Sequence, residues 1–293
     1  MHQIKVNHFS LDQIMRSGQC FRMRQTDTYR YEIIAGSRYL IADQQGNLLT
    51  LHCNKEEMDF WYDYFDLNTD YGVYIDRLNP NDSYLMKAVA ASDGVRILKQ
   101  DLWEMIVTFL VSQQNHIKRI RRCIELLCNK YGEHISFTNG GIFCPEQANV
   151  KPDNKLKCGR HIPEVNGYHT FPRPEAFAGL NEDALLDCNL GYRSKYVVRS
   201  ARQILEGEVS LEEIEKLPYK KAKEELLKLF GVGEKVADCI CLFARHDLDA
   251  FPVDTHIRQA LDQHYKRGFP NRRYKGFRGV VQQYIFYYEL MGS

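Results

Sequence analysis

The sequence has no long apolar run and no compositionally biased tract. Nowhere among its 293 residues do about 18 consecutive apolar side chains occur, the length needed to span a bilayer. A basic stretch followed by an apolar one, the pattern of a secretory leader, is also absent. We therefore expect an intracellular protein, cytoplasmic in a prokaryotic cell or nuclear, with no signal peptide and no membrane partner.

Cysteine is too sparse for a fold held together by disulfides. The nine cysteines are an odd number spread along a long chain, which is typical of reduced thiols in a reducing compartment. Cys144, Cys158 and His161 could suggest zinc, but Cys144 lacks the close partner that a C-x2-C pair supplies. We therefore predict no zinc site.

Net charge is small, at +1, but the two signs are unevenly distributed. Residues 1–82 carry a net charge of −4 and residues 83–293 one of +5. Three runs in the second part are rich in cations, namely KRIRR from Lys118, YRSKYVVR from Tyr192 and KRGFPNRRYKGFR from Lys266, and aromatic residues lie among the cations of the last two. Such runs are usually solvated surface, but three within one region favour a surface that binds phosphate groups.

The hydrophobic pattern changes near residue 82. Before it, short β-type runs such as TYRYEIIA, SRYLIA and NLLTLHC are separated by turn residues, which predicts an antiparallel meander. From Ser83 onward, apolar residues recur at three and four positions and several segments close on glycine, which predicts helices. We predict an α+β fold, with an N-terminal antiparallel β domain over residues 1–82 and a mainly helical region over residues 83–293.

The stretch GVGEKVADC places Lys235 at the start of an apolar helix, where acidic residues are normally favoured. KEELLKLF before it and EKVADCICLF have helical spacing, and GVG between them is a tight turn. We therefore predict a helix-hairpin-helix at about 221–244. The backbone N–H groups at such a helix start attract an anion, for example a DNA phosphate. A plain helical hairpin with a surface lysine is the alternative.

A second motif, FPVDTH, places Asp254 nineteen residues after Lys235. Asp254 precedes the helical segment THIRQAL, and a carboxylate in that position caps a helix by accepting a hydrogen bond from its first turn. An amine and an ionised carboxylate brought together at the mouth of a helical groove would instead form a nucleophile and its electrostatic partner. The residues alone allow both interpretations.

GVGEKVADCICLF with PVDTH resembles the helix-hairpin-helix DNA glycosylases that have a Gly/Pro-rich loop and a following aspartate. Within them, the chain is most similar to the 8-oxoguanine DNA glycosylase/AP lyases, from about Gly18 to Phe286. In that family the lysine matching Lys235 attacks the sugar and the aspartate matching Asp254 assists. The resemblance implies that these two residues are the catalytic pair.

Two absences refine the resemblance. Relatives of the endonuclease III and adenine-glycosylase types usually carry four cysteines after the aspartate for a [4Fe–4S] cluster, whereas this chain has no cysteine after Cys241. The alkyladenine-type relatives lack the lysine of the hairpin. The resemblance therefore implies a bifunctional enzyme with no iron–sulfur cluster, no cofactor and no catalytic metal.

Four further matches concern the damaged base. SGQCFR resembles the family segment whose glycine carbonyl accepts the hydrogen on N7 of 8-oxoguanine, a role that falls on Gly18. Unmodified guanine has an acceptor at N7, so a carbonyl there favours the oxidised base. The family also implies that Phe286 and Cys239 cover the two faces of the base and that Gln282, on the same helix face as Phe286, binds its Watson–Crick edge. A turn role for Gly18 and core packing for Phe286 and Cys239 are the alternatives.

The partner base, left unpaired when its opposite is extruded, also has candidate residues. SQQNHIKRI resembles an asparagine-rich segment of the family, and LGYRSKY matches its L-G-Y-R motif. The resemblance implies that Gln114, Arg119, Tyr192 and Arg193 wedge and bind the opposite cytosine, with His256 as a further DNA contact. Gln114 stands where the family usually has asparagine.

These features together predict a monomeric base-excision repair enzyme. We expect it to bind double-stranded DNA containing 8-oxoguanine, to excise the base and to nick the strand by Schiff-base β-elimination. Two alternatives are open from the sequence: a glycosylase for alkylated bases, and a non-catalytic helix-hairpin-helix DNA-binding protein. Lys235 with Asp254 opposes the second alternative, and Gly18 with Gln282 and Phe286 opposes the first.

Overall fold

The computed structural model describes residues 1–137 and 167–292. The first part of the chain contains five strands: β1 (His2–Lys5), β2 (Met23–Gln25), β3 (Arg30–Ala35), β4 (Arg38–Gln45) and β5 (Leu48–His52). They form one antiparallel sheet in the order β1-β5-β4-β3-β2. The predicted meander corresponds to β3, β4 and β5, whereas β1 and β2 are too short to show an alternating pattern.

Helices dominate the chain after the fifth strand, and one short helix lies between β1 and β2. Those within the described residues are α1 (Leu11–Arg16), α2 (Met58–Tyr64), α3 (Gly72–Asp76), α4 (Ser83–Ser92), α5 (Leu102–Ser112), α6 (Ile117–Tyr131), α7 (Glu175–Ala178), α8 (Ser194–Leu205), α9 (Leu211–Lys216), α10 (Tyr219–Leu226), α11 (Glu234–Phe243), α12 (Thr255–His264) and α13 (Arg278–Gly292). Short 3-10 turns occur at Lys55–Glu57, Leu186–Cys188 and Gly191–Arg193.

One face of the sheet is buried against the first two helices. Ile33 lies opposite Leu40 and Ala42 opposite Leu51 in the register, and all four are buried. Because side chains alternate between the two faces of a strand, these residues share the face that packs on α1 and α2. The N-terminal part therefore has an apolar core of its own.

A second and larger core surrounds α5. Residues 102–111 of this helix are all buried, as expected for a helix that is apolar around its whole circumference. It packs against α6, α8, α9 and α11, while α13 packs against α4 and α12. The hairpin helix α11 is therefore held from its inner side by the centre of the domain.

A small second sheet lies beside the helices. It pairs β6 (His134–Ser136) with β7 (Gly167–His169) in antiparallel fashion. The sequence pattern did not predict these two strands, because three residues are too few to show a period of two. The rejected zinc candidates Cys144, Cys158 and His161 lie outside the described residues.

The α+β prediction is confirmed, since an N-terminal antiparallel sheet precedes a mainly helical region. The helix-hairpin-helix also forms near its predicted place, as α10 and α11. The division at residues 82 and 83 stays a prediction, although α4 begins at Ser83 and is capped by Asp82. Within the described ranges, no helix combines the length and apolar character required to cross a membrane.

Candidate active site

The turn between α10 and α11 requires glycine at its centre. Gly231 has a φ of +91°, which side chains other than glycine rarely adopt. A Cβ atom on Gly231 would lie 2.6 Å from Cγ of Tyr196. The Gly231 carbonyl accepts a hydrogen bond of 2.9 Å from Nε2 of Gln113, and Gly233 is the N-cap of α11. The turn is thus held against α8 and the end of α5, which places the start of α11.

Lys235 lies in the first turn of α11 and is half-buried. Its Nζ is 5.6 Å from the centroid of the Phe109 ring on α5. Lys223 of α10 pairs with Glu234 at 2.6 Å and with Asp238 at 2.9 Å, so it satisfies the two nearest carboxylates along α11. Within the described residues, Lys235 itself has no ion-pair partner, which leaves its amine available.

Asp254 has the capping role that the sequence suggested. Its Oδ1 accepts a hydrogen bond of 2.8 Å from the backbone N–H of Ile257, in the first turn of α12. Its Oδ2 lies 3.4 Å from Nδ1 of His256. The His256 ring meets the Phe286 ring edge to face, with centroids 6.0 Å apart. One carboxylate oxygen is therefore committed to the cap, while the other faces His256.

Cys239 connects the lysine with the aspartate. Burial raises the pKa of its thiol to about 11, while the charge and a hydrogen bond of Lys235, one helical turn earlier, oppose the shift. The negative charges of Asp238 and Asp254 raise the pKa further. Cys239 is therefore a neutral thiol near pH 7, and both Lys235 and Asp254 lie close enough to act on it.

Gly18 follows Ser17, the C-cap of α1, and has a φ of +73°. A Cβ atom there would be 3.1 Å from Cε1 of Phe286 on the last helix. The next residue, Gln19, is fully buried, with its Oε1 accepting from the N–H of Leu98 and its Nε2 donating to the carbonyl of Arg96, each at 2.8 Å. Gln19 thus anchors the segment that holds Gly18 against Phe286.

Gln282 is buried one turn before Phe286 on α13. Its Nε2 donates to the carbonyl of Pro252 at 3.1 Å, two residues before Asp254. The last helix and the FPVDTH loop are therefore joined where Asp254 caps α12. The structure brings the following seven predicted residues into one region, the Lys235 cluster: Gly18, Lys235, Cys239, Asp254, His256, Gln282 and Phe286.

The four residues predicted for the opposite base lie together in a second region, the Arg193 cluster. The Tyr192 hydroxyl is 3.4 Å from Oε1 of Gln114, and the Arg193 guanidinium stacks over the Tyr192 ring at 4.5 Å. Arg119 lies near the start of α6 and is exposed, and its guanidinium donates to the carbonyl of Asn189 at 3.3 Å. Through Gln113, the Arg193 cluster adjoins the hairpin turn.

Arg193 and Arg119 differ in how far their guanidinium groups are engaged in hydrogen bonds within the protein. Arg193 is buried and donates to the carbonyls of Gln113 (2.7 Å from Nε), Gln114 (2.9 Å) and Leu190 (3.2 Å). These bonds hold the turn after α5, where Gln114 has a φ of +47°. Of the two guanidinium groups, only that of Arg119 is exposed to a ligand in this structure.

Comparison with known proteins gives two matches, one to the N-terminal part of the chain and one to the part after it. Residues 1–106 match the N-terminal domain of 8-oxoguanine DNA glycosylase. Residues 107–272 match the family described as HhH-GPD superfamily base excision DNA repair protein. The chain belongs to this superfamily. The resemblance seen in the glycine hairpin and the PVDTH motif is thereby confirmed.

Individual relatives agree with the assignment to the HhH-GPD superfamily. An N-glycosylase/DNA lyase of Saccharomyces cerevisiae is 29% identical over 198 residues, which cover 64% of this chain but only 46% of that protein. A probable N-glycosylase/DNA lyase of Methanothermobacter thermautotrophicus is 29% identical over 79% of this chain and 73% of its own. The Clostridium acetobutylicum 8-oxoguanine glycosylase/lyase, solved with double-stranded DNA containing cytosine opposite 8-oxoguanine, is 31% identical, with a TM-score of 0.83 over 97% of this chain and 92% of that one.

Several cations of the basic runs serve internal contacts in this superfamily member. Arg199 pairs with Glu182 at 2.6 Å, and Arg278 with Asp249 at 3.1 Å. Arg121 donates to two carbonyls of the N-terminal part, at 2.6 Å each. The predicted phosphate-binding surface is therefore narrower than the runs suggested.

A pocket of about 570 Å³ lies between the sheet and the helices, away from both clusters. Its lining includes Gly36, Tyr64, Trp103, Glu104 and Phe171, and none of the predicted site residues. Within the described residues, no group of three or more His, Cys, Asp and Glu side chains is placed to hold a metal ion. The candidate site is therefore defined by the Lys235 cluster and not by this pocket.

Three polar residues that shape the site were not predicted: Gln19, Gln113 and Gln283. Gln19 and Gln113 act through hydrogen bonds to residues 77 or more positions away, which spacing along the chain cannot reveal. Gln283 stands beside Gln282 and is buried. The one signal in the sequence is its place among apolar helix positions, where a buried polar residue usually has a specific partner.

Proposed function

We propose that this protein is a bifunctional DNA N-glycosylase and AP lyase that excises 8-oxoguanine from duplex DNA. One observation carries the proposal: a half-buried lysine amine, with no carboxylate partner in residues 1–137 and 167–292, lies in the same region as a helix-capping aspartate and the residues that match a base site. An amine in this setting is suited to attack an electrophilic carbon.

The proposed chemistry uses Lys235 as nucleophile. Its uncharged amine attacks C1′, and the bond from C1′ to the base breaks with its electron pair leaving on the base, which takes up a proton. Asp254 stabilises the positive charge that develops on the sugar. Opening of the sugar ring and loss of the amine protons yield a Schiff base, and removal of a C2′ proton then expels the 3′ phosphate.

Recognition of the base is assigned to the other members of the Lys235 cluster. The Gly18 carbonyl accepts the N7 hydrogen that 8-oxoguanine has and guanine lacks. Phe286 and Cys239 cover the two faces of the extruded base, and Gln282 binds its Watson–Crick edge. His256, between Asp254 and Phe286, contacts the DNA beside the base.

The partner strand is assigned to the Arg193 cluster. Gln114 and Tyr192 fill the space that the extruded base leaves, Arg193 holds the turn that carries Gln114, and Arg119 binds the opposite cytosine. Backbone N–H groups at the start of α11 bind a phosphate of the damaged strand. The enzyme acts as a monomer in the cytoplasm or nucleus. Its reaction uses protein groups and water and needs no cofactor.

Borohydride trapping tests the proposal. Duplexes carrying 8-oxoguanine, uracil, 3-methyladenine or an abasic site are incubated with the enzyme, and strand cleavage and the covalent adduct are scored for each. We expect cleavage and trapping with 8-oxoguanine and with the abasic site. Excision of 3-methyladenine instead would support an alkylated-base glycosylase, and binding without cleavage of any duplex would support a non-catalytic protein.

The lysine and aspartate roles are separated by two variants, each with a matched control. Lys235→Gln should abolish the trapped adduct, while Lys220→Gln, which changes an exposed lysine of α10, should keep it. Asp254→Asn keeps a good helix cap but loses the charge, so excision should slow by roughly 10²-fold at unchanged stability. Asp101→Asn, at the cap of α5, is the matched control and should leave the rate unchanged. A Lys235→Gln protein that still forms the adduct contradicts the assignment.

A further inference from the structure

Two adjacent glutamines on α13 form a directed hydrogen-bond chain. Gln282 and Gln283 are both buried, with 3% of each exposed. Nε2 of Gln282 donates to the carbonyl of Pro252, and Nε2 of Gln283 donates to Oε1 of Gln282, each at 3.1 Å. The chain therefore runs from Gln283 through Gln282 to the loop that carries Asp254.

The direction of this hydrogen-bond chain is fixed by its last member, the carbonyl of Pro252. The Pro252 carbonyl can only accept, so the group of Gln282 that faces it must be the NH2. Turning the Gln282 amide over would place two oxygens against each other. Its Oε1 therefore faces Gln283, and Gln283 must present its own NH2. Oε1 of Gln283 is buried and has no hydrogen-bond partner among the described residues, so the contact with Gln282 uses the donor of this amide alone.

Amide orientation matters because the two purines present opposite patterns. Guanine has a donor at N1 and an acceptor at O6, whereas adenine has an acceptor at N1 and a donor at N6. A freely rotating amide can match either edge by turning over, since it has one donor side and one acceptor side. An amide held in one orientation can match only one of them.

We propose that Gln283 is a specificity-determining positioning residue. Its Nε2 donates to Oε1 of Gln282 while the Pro252 carbonyl accepts from Nε2 of Gln282, and the two contacts together hold this amide in one orientation, so that the site accepts the guanine-type edge of a flipped base and rejects the adenine-type edge. This inference rests on the proposed function, since it assumes that Gln282 meets the base. It adds a second determinant to the Gly18 carbonyl, which reads the imidazole side of the purine and does not distinguish oxidised guanine from oxidised adenine.

The probe is therefore a pair of duplexes that differ only at the Watson–Crick edge. 8-Oxoguanine and 8-oxoadenine share the N7 hydrogen and the C8 carbonyl, so contact with Gly18 is the same in both. Each base is placed opposite cytosine in one sequence, and single-turnover excision rates are measured for the wild type and for Gln283→Met, which keeps the length of the side chain without its amide. We expect the ratio of the 8-oxoguanine rate to the 8-oxoadenine rate to fall about tenfold, the scale of one mismatched base contact.

Two further variants exclude a merely structural effect. Gln283→Asn keeps an amide but is one methylene too short to reach Gln282, so its ratio should also fall. Val280→Ala, a buried apolar position on the same helix, should change both rates alike and leave the ratio unchanged. Thermal melting identifies the folded variants, and whichever of the two Gln283 variants folds decides the question. A ratio that stays within twofold of the wild type in a folded Gln283 variant overturns the inference. Failure of the wild type to excise 8-oxoguanine would instead refute the proposed function, and the inference with it.

Discussion

At the scale of single residues, the site depends on a position that only glycine fits. Gly18 combines a left-handed backbone, with a φ of +73°, with close contact to the Phe286 ring. Glycine therefore has two separate reasons to be there, one from the backbone and one from the space available. A control residue with the first reason alone can separate them, and Gly207 provides it, with a φ of +77° and open space where a Cβ atom would lie.

Gly18→Ala should lower excision of 8-oxoguanine, whereas Gly207→Ala should not. Both variants place a Cβ in left-handed backbone, at a cost of about 1–2 kcal/mol of stability. Only in Gly18→Ala does the new methyl group meet Phe286, at 3.1 Å from Cε1, and displace the carbonyl or the ring. Melting temperatures and single-turnover rates of the two variants are compared. Equal rates would show that the Gly18 carbonyl is not part of the base site.

At the scale of elements, three segments are tied together at the turn after α5. The Gln113 carbonyl accepts from Arg193, and the Gln113 side chain donates to the Gly231 carbonyl in the hairpin. Tyr192 reaches Gln114 in the same turn. Gln114, which with Tyr192 would face the opposite strand, therefore lies on a turn that buried Arg193 holds in place through hydrogen bonds. Arg119 is exposed beside them.

Arg193→Met and Arg119→Ala should accordingly have different effects. Arg193→Met leaves buried carbonyls without donors, which should lower stability by about 1–3 kcal/mol and slow excision opposite all four bases. Arg119→Ala should leave stability unchanged and reduce the preference for opposite cytosine over adenine about tenfold, because a guanidinium matches the two acceptors of cytosine. Urea unfolding and excision rates opposite each base check both. If Arg119→Ala slows all four reactions alike, Arg119 contacts a phosphate or has a structural role, and it does not bind cytosine.

At the scale of the whole molecule, buried polar contacts hold the sheet part and the helical part together. Arg22, close to Gly18 in the chain, lies 3.4 Å from Glu104 in the first turn of α5, and both side chains are buried. Gln100 extends this junction, since its N–H donates to the carbonyl of Phe243 at the end of α11. Gly18 and Lys235 belong to different sides of the junction, so their mutual placement depends on it.

This junction makes stability depend on pH. Burial raises the pKa of Glu104 from its ordinary 4.5 to about 7, and Arg22 opposes the shift without cancelling it. Between these values the folded protein keeps a proton that the unfolded chain releases, so the free energy of unfolding falls as pH rises from 4.5 to 7. Glu104→Gln removes this titration. Urea unfolding at pH 5 and pH 8 should show a decrease for the wild type that exceeds that of Glu104→Gln by on the order of 2 kcal/mol. Parallel decreases would show that Glu104 keeps its charge in the folded state.

The sequence allowed prediction of features that depend on near neighbours. The hairpin turn, the cap at Asp254 and the three longer strands of the sheet depend on residues within a few positions of each other, and each forms where it was expected. The strands β6 and β7 were missed because they are short and pair across an intervening stretch of chain. The basic runs predict a larger phosphate-binding surface than the structure supports, because the positions of cations along the sequence do not show that Arg199 and Arg278 have carboxylate partners.

The sequence by itself determined which chemical groups are present and which are absent: an amine at a helix start, a carboxylate at a helix cap, a glycine turn and no cysteine after Cys241. Only the tertiary structure decided that Gly18 lies against Phe286, 268 positions later, and that Pro252 faces Gln282. The physical reason is that local patterns reflect the geometry of one helix or strand, which recurs every two to four residues. A hydrogen bond between distant segments depends on how whole elements pack, and the spacing of residues along the chain does not encode its partner.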